Sequence, residues 1–464
     1  MNIKTTEPAL SAEQKNALEL MLAGENVFLT GEAGTGKSTI LREFRKRCDI
    51  KRTVFLAPTG IAASNIKGQT IHSFCRLKPG LQSPDTIEEI GNPHFRILLN
   101  AVRTIVIDEI SMVRADVFAA IDHRFREAAI GCNRMRPFAG KQVIVCGDFF
   151  QLPPVTSTDA EELYLQSRLG GEYPFMTQLW QNADFQTVLL KEVHRQGDDL
   201  LFMQILKNIR HGEIDSRNLQ LPGSSLMVNC VTALNKLCFH EDEITESAQG
   251  IALCTTRREA EEVNRRHAAR LTTNSEVFKA QITGKFLEKD YPTAANLRIQ
   301  QGARVMTLAN KRNPDGTYEY INGDLGVVAG ILCDENGIGS VLVEFDDGRT
   351  AVIEAVKWTT YKYELERDRN TGKELIKQIE VGAFTQIPLR LAWAITIHKS
   401  QGMGFDQAKV FLGNGCFASG QLYTALSRCR TLKGLQLERR IFKEDVLFDE
   451  NVVNFYKQLE NSIQ

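Results

Sequence analysis

The chain has 464 residues, 43% of them hydrophobic and 24% charged, with a formal net charge of −1. This balance excludes a disordered or fibrous chain and suits several packed cores, about three domains at ~150 residues each. No overall attraction to a polyanion follows from such a charge, so a nucleic-acid surface would have to be a local groove.

Four short apolar runs alternate with helical stretches in the first half: Val27-Phe-Leu-Thr30, Val54-Phe-Leu-Ala57, Ile105-Val-Ile107 and Val143-Ile-Val-Cys146. Runs without polar alternation predict strands covered on both faces, as in a parallel sheet lying between helices. Between the second and third runs, segment 76–96 carries Pro79, Gly80, Pro84, Gly91 and Pro93 and is expected to be a small insertion. A second series starts at Ile251-Ala-Leu-Cys254 and continues through Val305-Met-Thr-Leu308, Leu389-Arg-Leu-Ala392 and Val410-Phe-Leu412, with helices expected around 259–271 and 421–428. From Lys311 to Phe384 the texture changes to short strands such as Val341-Leu-Val-Glu-Phe345, parted by Asn313-Pro-Asp-Gly316, Glu335-Asn-Gly337 and Asp347-Gly348. That pattern predicts a small inserted β-barrel. The expected organisation is a first α/β domain over 1–190, a second over 191–310 and 385–464, and the barrel over 311–384.

No apolar run approaches the ~20 residues of a membrane span. The ten cysteines lie scattered from Cys48 to Cys429 with no Cys-x-x-Cys pair, which reads as reduced core thiols rather than a metal site. The first chemical motif begins at Gly31, leaving little room for a cleaved targeting segment ahead of it. An intracellular protein is expected, cytoplasmic and nucleoid-associated if the source is bacterial, with no membrane partner.

Gly31-Glu-Ala-Gly-Thr-Gly-Lys-Ser38 follows the first predicted strand and precedes a helix with apolar Ile40, Leu41 and Phe44. This is the phosphate-loop pattern G-x-x-x-x-G-K-S in its strand–loop–helix setting. Glycines let backbone N–H groups turn toward phosphate oxygens at a helix N-terminus, whose dipole favours negative charge. Lys37 is expected to reach the β- and γ-phosphates and Ser38 to give an oxygen to Mg²⁺. Asp108-Glu109 ends the third apolar run, placing two carboxylates at a sheet edge beside that loop. Asp108 suits a Mg²⁺ partner, and Glu109 suits a base that orients the attacking water. The implied cofactors are ATP and Mg²⁺. Such parts define a nucleoside triphosphatase and no more, since kinases, GTPases and transporters use them too.

Further motifs occur in order along the chain: Ala57-Pro-Thr-Gly-Ile-Ala-Ala63, Thr70-Ile-His-Ser-Phe74, Asp108-Glu-Ile-Ser-Met112, Gly147-Asp-Phe-Phe-Gln-Leu-Pro-Pro154, His194-Arg-Gln196, Thr396-Ile-His-Lys-Ser-Gln-Gly402 and Tyr423-Thr-Ala-Leu-Ser-Arg428. The ordered set resembles that of superfamily 1 helicases, in particular the petite-integration-frequency (Pif) helicases and their RecD-like relatives. The resemblance implies two RecA-like parallel-sheet motor domains, a wedge insertion at 76–96 and an SH3-like β-barrel insertion in the second motor domain. It makes Gln14 the adenine reader, and Gly31, Gly34, Thr35, Gly36, Lys37, Ser38, Thr39 and Gly402 the rest of the ATP site. Gln151 becomes the γ-phosphate sensor, and Arg195 and Arg428 become arginine fingers, whose loss can cost ~10³ to 10⁵ in rate. Two departures, His194 before Arg195 and Gly404 after Met403, bear on local packing and coupling rather than on a catalytic group.

The resemblance also implies a single-stranded DNA track bordered by Thr59, Gly60, His72, Ser73, Phe74, His398 and Lys399. Partners are then single-stranded DNA and tailed or forked duplexes, with movement from the 5′ toward the 3′ end and family-level roles in repair, recombination and telomere maintenance. Phe74 and Trp393 are equally open to core packing, whereas Arg45-Lys-Arg47 and Arg265-Arg266 read as solvated helix faces. The expected activity is an ATP-dependent DNA helicase. The alternatives are an ATP-switched single-strand clamp that does not unwind, or a metabolic phosphotransferase that leaves the later motifs unexplained.

Overall fold

The computed structural model describes residues 10–156, 158–192, 199–240, 250–313, 318–333, 339–367 and 374–463. Its first lobe is built on six parallel strands: β1 (Val27–Gly31), β2 (Thr53–Ala57), β3 (Gln69–Thr70), β4 (Thr104–Ile107), β5 (Gln142–Cys146) and β6 (Gln186–Leu190). They lie in the order β3-β2-β4-β5-β1-β6. The four predicted runs are β1, β2, β4 and β5, in register through pairs such as Val27 with Ile144 and Phe55 with Val106.

Each of these strands alternates between two cores, which explains why none alternates in polarity. Phe28, Val54, Leu56, Ile105, Ile107, Val143 and Val145 enter one cluster. Val27, Leu29, Phe55, Ala57, Val106, Ile144 and Cys146 enter the other, against helices α1 (Ala12–Ala23) and α2 (Lys37–Arg47). Burying such a side chain contributes about 1.5–3 kcal/mol. A charge at Val106, which is fully buried in the middle of the sheet, would break this layer.

A second parallel sheet orders Ala394–Thr396, Ile251–Cys254, Ala408–Phe411 and Leu435–Leu437. The runs at 305–308 and 389–392 do not belong to it. Arg304–Thr307 and Leu389–Leu391 sit instead in an antiparallel sheet with Leu325–Cys333, Gly339–Phe345 and Thr350–Ile353. All four residues of Arg304–Thr307 are buried, so that strand lacks the polar alternation that marks an antiparallel edge. The antiparallel insertion therefore reaches from Ser275–Lys279 to Leu389–Leu391, wider than the expected 311–384. A long hairpin, Val356–Arg367 with Glu374–Gln386, projects from it.

That hairpin lies on the first lobe. The backbone N–H of Phe55 donates to the Tyr363 hydroxyl at 3.0 Å, and Arg45 donates to Gln378 Oε1 at 3.1 Å. Arg45 also covers the Phe55 ring at 4.5 Å, so the expectation of a solvated face is corrected there. It holds for Arg265 and Arg266, which pair with Glu262 on an exposed helix surface. The C-terminal helix Glu450–Ile463, expected with the second lobe, stacks Phe455 on Phe175 of the first at 4.2 Å and 10°. Among the described residues no helix is long and apolar enough to cross a membrane, and no cluster of His, Cys, Asp or Glu could hold a metal ion by itself.

Candidate functional site

The loop after β1 turns on three glycines with positive φ, Gly31 (153°), Gly34 (88°) and Gly36 (87°). At Gly31 a Cβ would stand 2.6 Å from the Leu190 carbonyl, and Gly36 caps α2 in the left-handed region, so both positions need glycine. Lys37 folds back on the loop, its Nζ donating to the Gly31 and Glu32 carbonyls at 2.8 and 2.9 Å. Ser38 is exposed and Thr39 half-buried on the first turn of α2. Gln14 is only 5% exposed. It closes a capping box with Ser11 and donates from Nε2 to the Thr35 carbonyl at 3.1 Å, joining α1 to the loop.

Beside the loop, β4 ends in Asp108 and Glu109. Glu109 holds φ 51°, a left-handed conformation that costs a non-glycine residue about 1–3 kcal/mol. Its N–H donates to Asp108 Oδ1 at 3.0 Å. Burial raises the Asp108 carboxyl above its ordinary range. Burial and the Asp108 charge raise Glu109 to about 7, while Lys37 and Arg428 pull it back. Lys37 and both carboxylates thus form one electrostatic cluster. The Ser38 hydroxyl and the Asp108 carboxylate are oxygen donors of the kind a hard divalent cation takes, and a cation would offset the penalty that burial places on Asp108.

The second lobe reaches this cluster. Arg428 is 1% exposed, yet close enough to Glu109 and Asp148 to feel both charges. Its Nε donates to the Thr424 carbonyl at 2.9 Å, Nη2 to Ser427 Oγ at 2.8 Å and Nη1 to the Met403 carbonyl at 3.3 Å. On the helix that precedes Arg428, Gln421–Leu426, Tyr423 accepts from the Ala33 N–H of the phosphate loop at 3.4 Å. Gln151 is buried on the turn after β5, its N–H donating to the Asp148 carbonyl at 3.0 Å. Gly402 is exposed with φ 76°, after Ser400. Arg195 and His194 lie outside the described residues.

The residues expected along a DNA strand divide into two groups. Thr59 is exposed after β2 and caps Gly60–Asn65, accepting from the Ala62 N–H at 3.2 Å. Asp290 presses against Gly60, with its Oδ1 2.6 Å from where a Cβ would stand. Ser73 is exposed and accepts from Gln69 Nε2 at 2.8 Å, and His72 is half-buried beside it. His398 is half-buried, which lowers its pKa, and Lys399 is exposed. Phe74 differs. It is 3% exposed and packs between Phe125 and Tyr363, so it offers no face to a strand in this arrangement. Trp393 lies flat on His267 at 5.5 Å.

The PIF1-like helicase family model matches residues 9–220. The ATP-dependent DNA helicase Pif1 of Bdellovibrio bacteriovorus is 33% identical over 98% of this chain and 93% of its own length. The chain belongs to the PIF1-like helicase family. Human ATP-dependent DNA helicase PIF1 is 34% identical over 99% of this chain. The chain spans only 65% of that longer protein. Among solved structures, Bacteroides Pif1 in complex with ADP-AlF4 matches at TM-score 0.83 and 32% identity over 98% of both chains. Bacteroides Pif1 bound to ssDNA matches at 0.64 with the same coverage.

Asp108, Lys37 and Arg428 each act electrostatically on Glu109, so these four residues share one neighbourhood. Sequence reasoning missed the ion pair of Arg210 with Glu32 of the phosphate loop, and the bond of Tyr456 to Thr30 just before that loop. Arg210 ends an amphipathic helix, where a cation ordinarily reads as a solvated C-terminal charge, so no local signal marked it.

Proposed function

We propose that this protein is an ATP-dependent DNA helicase that translocates on single-stranded DNA in the 5′-to-3′ direction and unwinds tailed or forked duplexes, driven by hydrolysis in the cleft between its two parallel sheets. The observation that carries this reading is the meeting of Arg428 from the second lobe with the Lys37, Asp108 and Glu109 cluster of the first. Kinship with proteins named ATP-dependent DNA helicase supports the DNA substrate.

In this reading the glycine loop and Lys37 bind the β- and γ-phosphates. Gln14 reads the adenine from the edge of the loop. Ser38 and Asp108 would hold Mg²⁺, which when bound would supply charge neutralisation at the phosphates. Glu109 takes the proton of the attacking water, and the left-handed backbone at Glu109 fixes where that carboxylate sits. Arg428, and Arg195 from the segment after β6, meet charge on the γ-phosphoryl group as the lobes close. Closure has a second effect: a guanidinium moving nearer Glu109 lowers its pKa from about 7 and favours the unprotonated base. Gln151 senses the phosphate and passes its loss to the strand-facing residues Thr59, Ser73, His398 and Lys399.

In this reading strand entry requires the antiparallel insertion to shift on the first lobe, because Tyr363 of its hairpin covers Phe74 and Asp290, ahead of that hairpin, covers Gly60. The lower likeness to the ssDNA-bound relative, 0.64 against 0.83, is in keeping with that. The test is the ATPase rate with and without single-stranded DNA, followed by strand separation on duplexes carrying a 5′ or a 3′ tail. Stimulation with unwinding of the 5′-tailed duplex is expected. An unstimulated rate refutes the motor, and stimulation without unwinding makes the protein a clamp.

A further inference from the structure

Arg210 is a buried cation that the mechanism above leaves unused. It closes the helix Leu200–Arg210, which packs against the second-lobe helices Cys230–Cys238 and Gln421–Leu426. Its side chain reaches past Tyr423 to carboxylates of the first lobe. Nη2 donates to Asp148 Oδ1 at 3.0 Å, and Nη1 lies 3.5 Å from Glu32 Oε1. The guanidinium covers the Phe150 ring at 4.1 Å, with the rings of Tyr456 and Tyr423 at 5.3 and 5.9 Å.

Each of these partners belongs to a part that nucleotide hydrolysis depends on. Asp148 shapes the turn that carries Gln151, since its Oδ1 also accepts the Phe150 N–H at 3.2 Å and its carbonyl accepts the Gln151 N–H at 3.0 Å. Glu32 is the second residue of the phosphate loop, and its carbonyl holds Lys37. Tyr456 binds Thr30 Oγ1 at the end of β1 at 2.6 Å and accepts the Phe149 N–H at 3.2 Å. The pair is also one bond short of its capacity. Among the described residues Asp148 Oδ2 and Arg210 Nε are buried with no hydrogen-bond partner, although a guanidinium and a carboxylate can make two parallel bonds. A small rotation of the helix carrying Arg210 would change the one-bond arrangement into the two-bond one.

We infer that Arg210 is a positioning residue, which carries the placement of the second lobe into the Gln151 turn and the phosphate loop through its hydrogen bond to Asp148 and its ion pair with Glu32. The inference rests on the ATP-driven reading above. It assigns Arg210 no contact with the nucleotide. Arg210 sets the geometry of the groups that make such contacts, and differs in this from Arg428.

The test uses the full chain with Arg210→Met, Arg210→Lys and the double variant Asp148→Asn/Arg210→Met. Two readouts are taken: the ratio of affinities for ADP–aluminium fluoride and ADP without DNA, and kcat and KM for ATP with saturating single-stranded DNA. Thermal midpoints are recorded alongside. Arg210→Met is expected to lower the affinity ratio and the stimulated kcat by about tenfold to a hundredfold, with ADP affinity and KM changed less than about threefold. Arg210→Lys keeps the charge but cannot span both carboxylates, so it falls between. The double variant removes both charges and is expected to recover the thermal midpoint while both catalytic readouts stay low. Recovery of those readouts together with stability would show a merely structural pair and overturn the inference, as would full readouts in Arg210→Lys. Should Arg210→Met fail to fold, the other two variants decide. A parent enzyme unresponsive to DNA would remove the strand motor, while the affinity ratio would still judge Arg210.

Discussion

Replacing Glu109 by glutamine separates what this residue does for hydrolysis from what it costs the fold. The glutamine keeps the shape and removes the charge. In the folded protein, burial and the adjacent Asp108 raise the Glu109 carboxyl from 4.5 to about 7. A raised carboxyl binds more protons folded than unfolded between those values, so stability falls as pH climbs through that window, and the whole penalty is present above about pH 7. At 1.36 kcal/mol per unit the ceiling is about 3.4 kcal/mol. Partial access to solvent and the shared titration with Asp108 bring the expectation to about 1–3 kcal/mol. Glu109→Gln should therefore be the more stable protein at pH 8, by an increase in urea midpoint that shrinks toward zero as pH falls to 4.5. The same change should reduce strand-stimulated turnover by about 10²- to 10⁴-fold, the worth of a general base. A stability difference of the same size at pH 8 and pH 5, or a variant less stable than its parent at pH 8, would refute the electrostatic account of this site.

Three further outcomes are expected. Lys37→Ala should abolish ATP hydrolysis while leaving most single-strand binding, because the grip is made of phosphate and stacking contacts elsewhere; filter binding with parallel ATPase assays checks this, and equal loss of both contradicts it. Tyr363→Phe leaves the buried Phe55 N–H without its acceptor, weakening hairpin docking by about 1–3 kcal/mol. Single-strand affinity measured by fluorescence anisotropy should then tighten about fivefold or more, and an unchanged Kd would mean the hairpin need not move. Strand affinity should fall with salt at a log–log slope of about −0.7 per neutralised phosphate, and a flat response would mean that no basic track exists.

The legible parts of this fold are those where one segment carries its own reason. Val27-Phe-Leu-Thr30 reads as a covered strand because Val27 and Leu29 enter one core and Phe28 the other. The phosphate loop is legible because its glycines are required by local backbone geometry. The same rule misplaced Val305 and Leu389, which are equally covered but lie in an antiparallel sheet, since periodicity records burial and not strand direction. Arg45 and Phe74 illustrate a different obstacle. Their surroundings are completed by Gln378 and Tyr363 of the hairpin, some three hundred positions away, so nothing nearby distinguished a stacked arginine from a solvated one or a core ring from an exposed one. Arg210 and Tyr456 were illegible for the same reason, their partners Asp148 and Thr30 lying 62 and 426 positions off.

The two cations proposed to meet the triphosphate, Lys37 and Arg428, share one property. Lys37 donates to carbonyls of its own loop, and Arg428 to carbonyls and a hydroxyl of its own lobe. A buried guanidinium cannot stay unbonded without a penalty of several kcal/mol, so these neutral acceptors keep the site folded while leaving it able to change partners. Exchange onto phosphate oxygens replaces hydrogen bonds charged only at the donor with bonds charged at both ends, and Arg428 is already buried in the folded chain. Arg428 is bonded to the Thr424 carbonyl of the helix whose Tyr423 accepts the Ala33 N–H, so a change of partners at Arg428 would act on a helix attached to the phosphate loop. On the proposed ATP-driven reading, the free energy of that exchange would be delivered at the seam between the lobes.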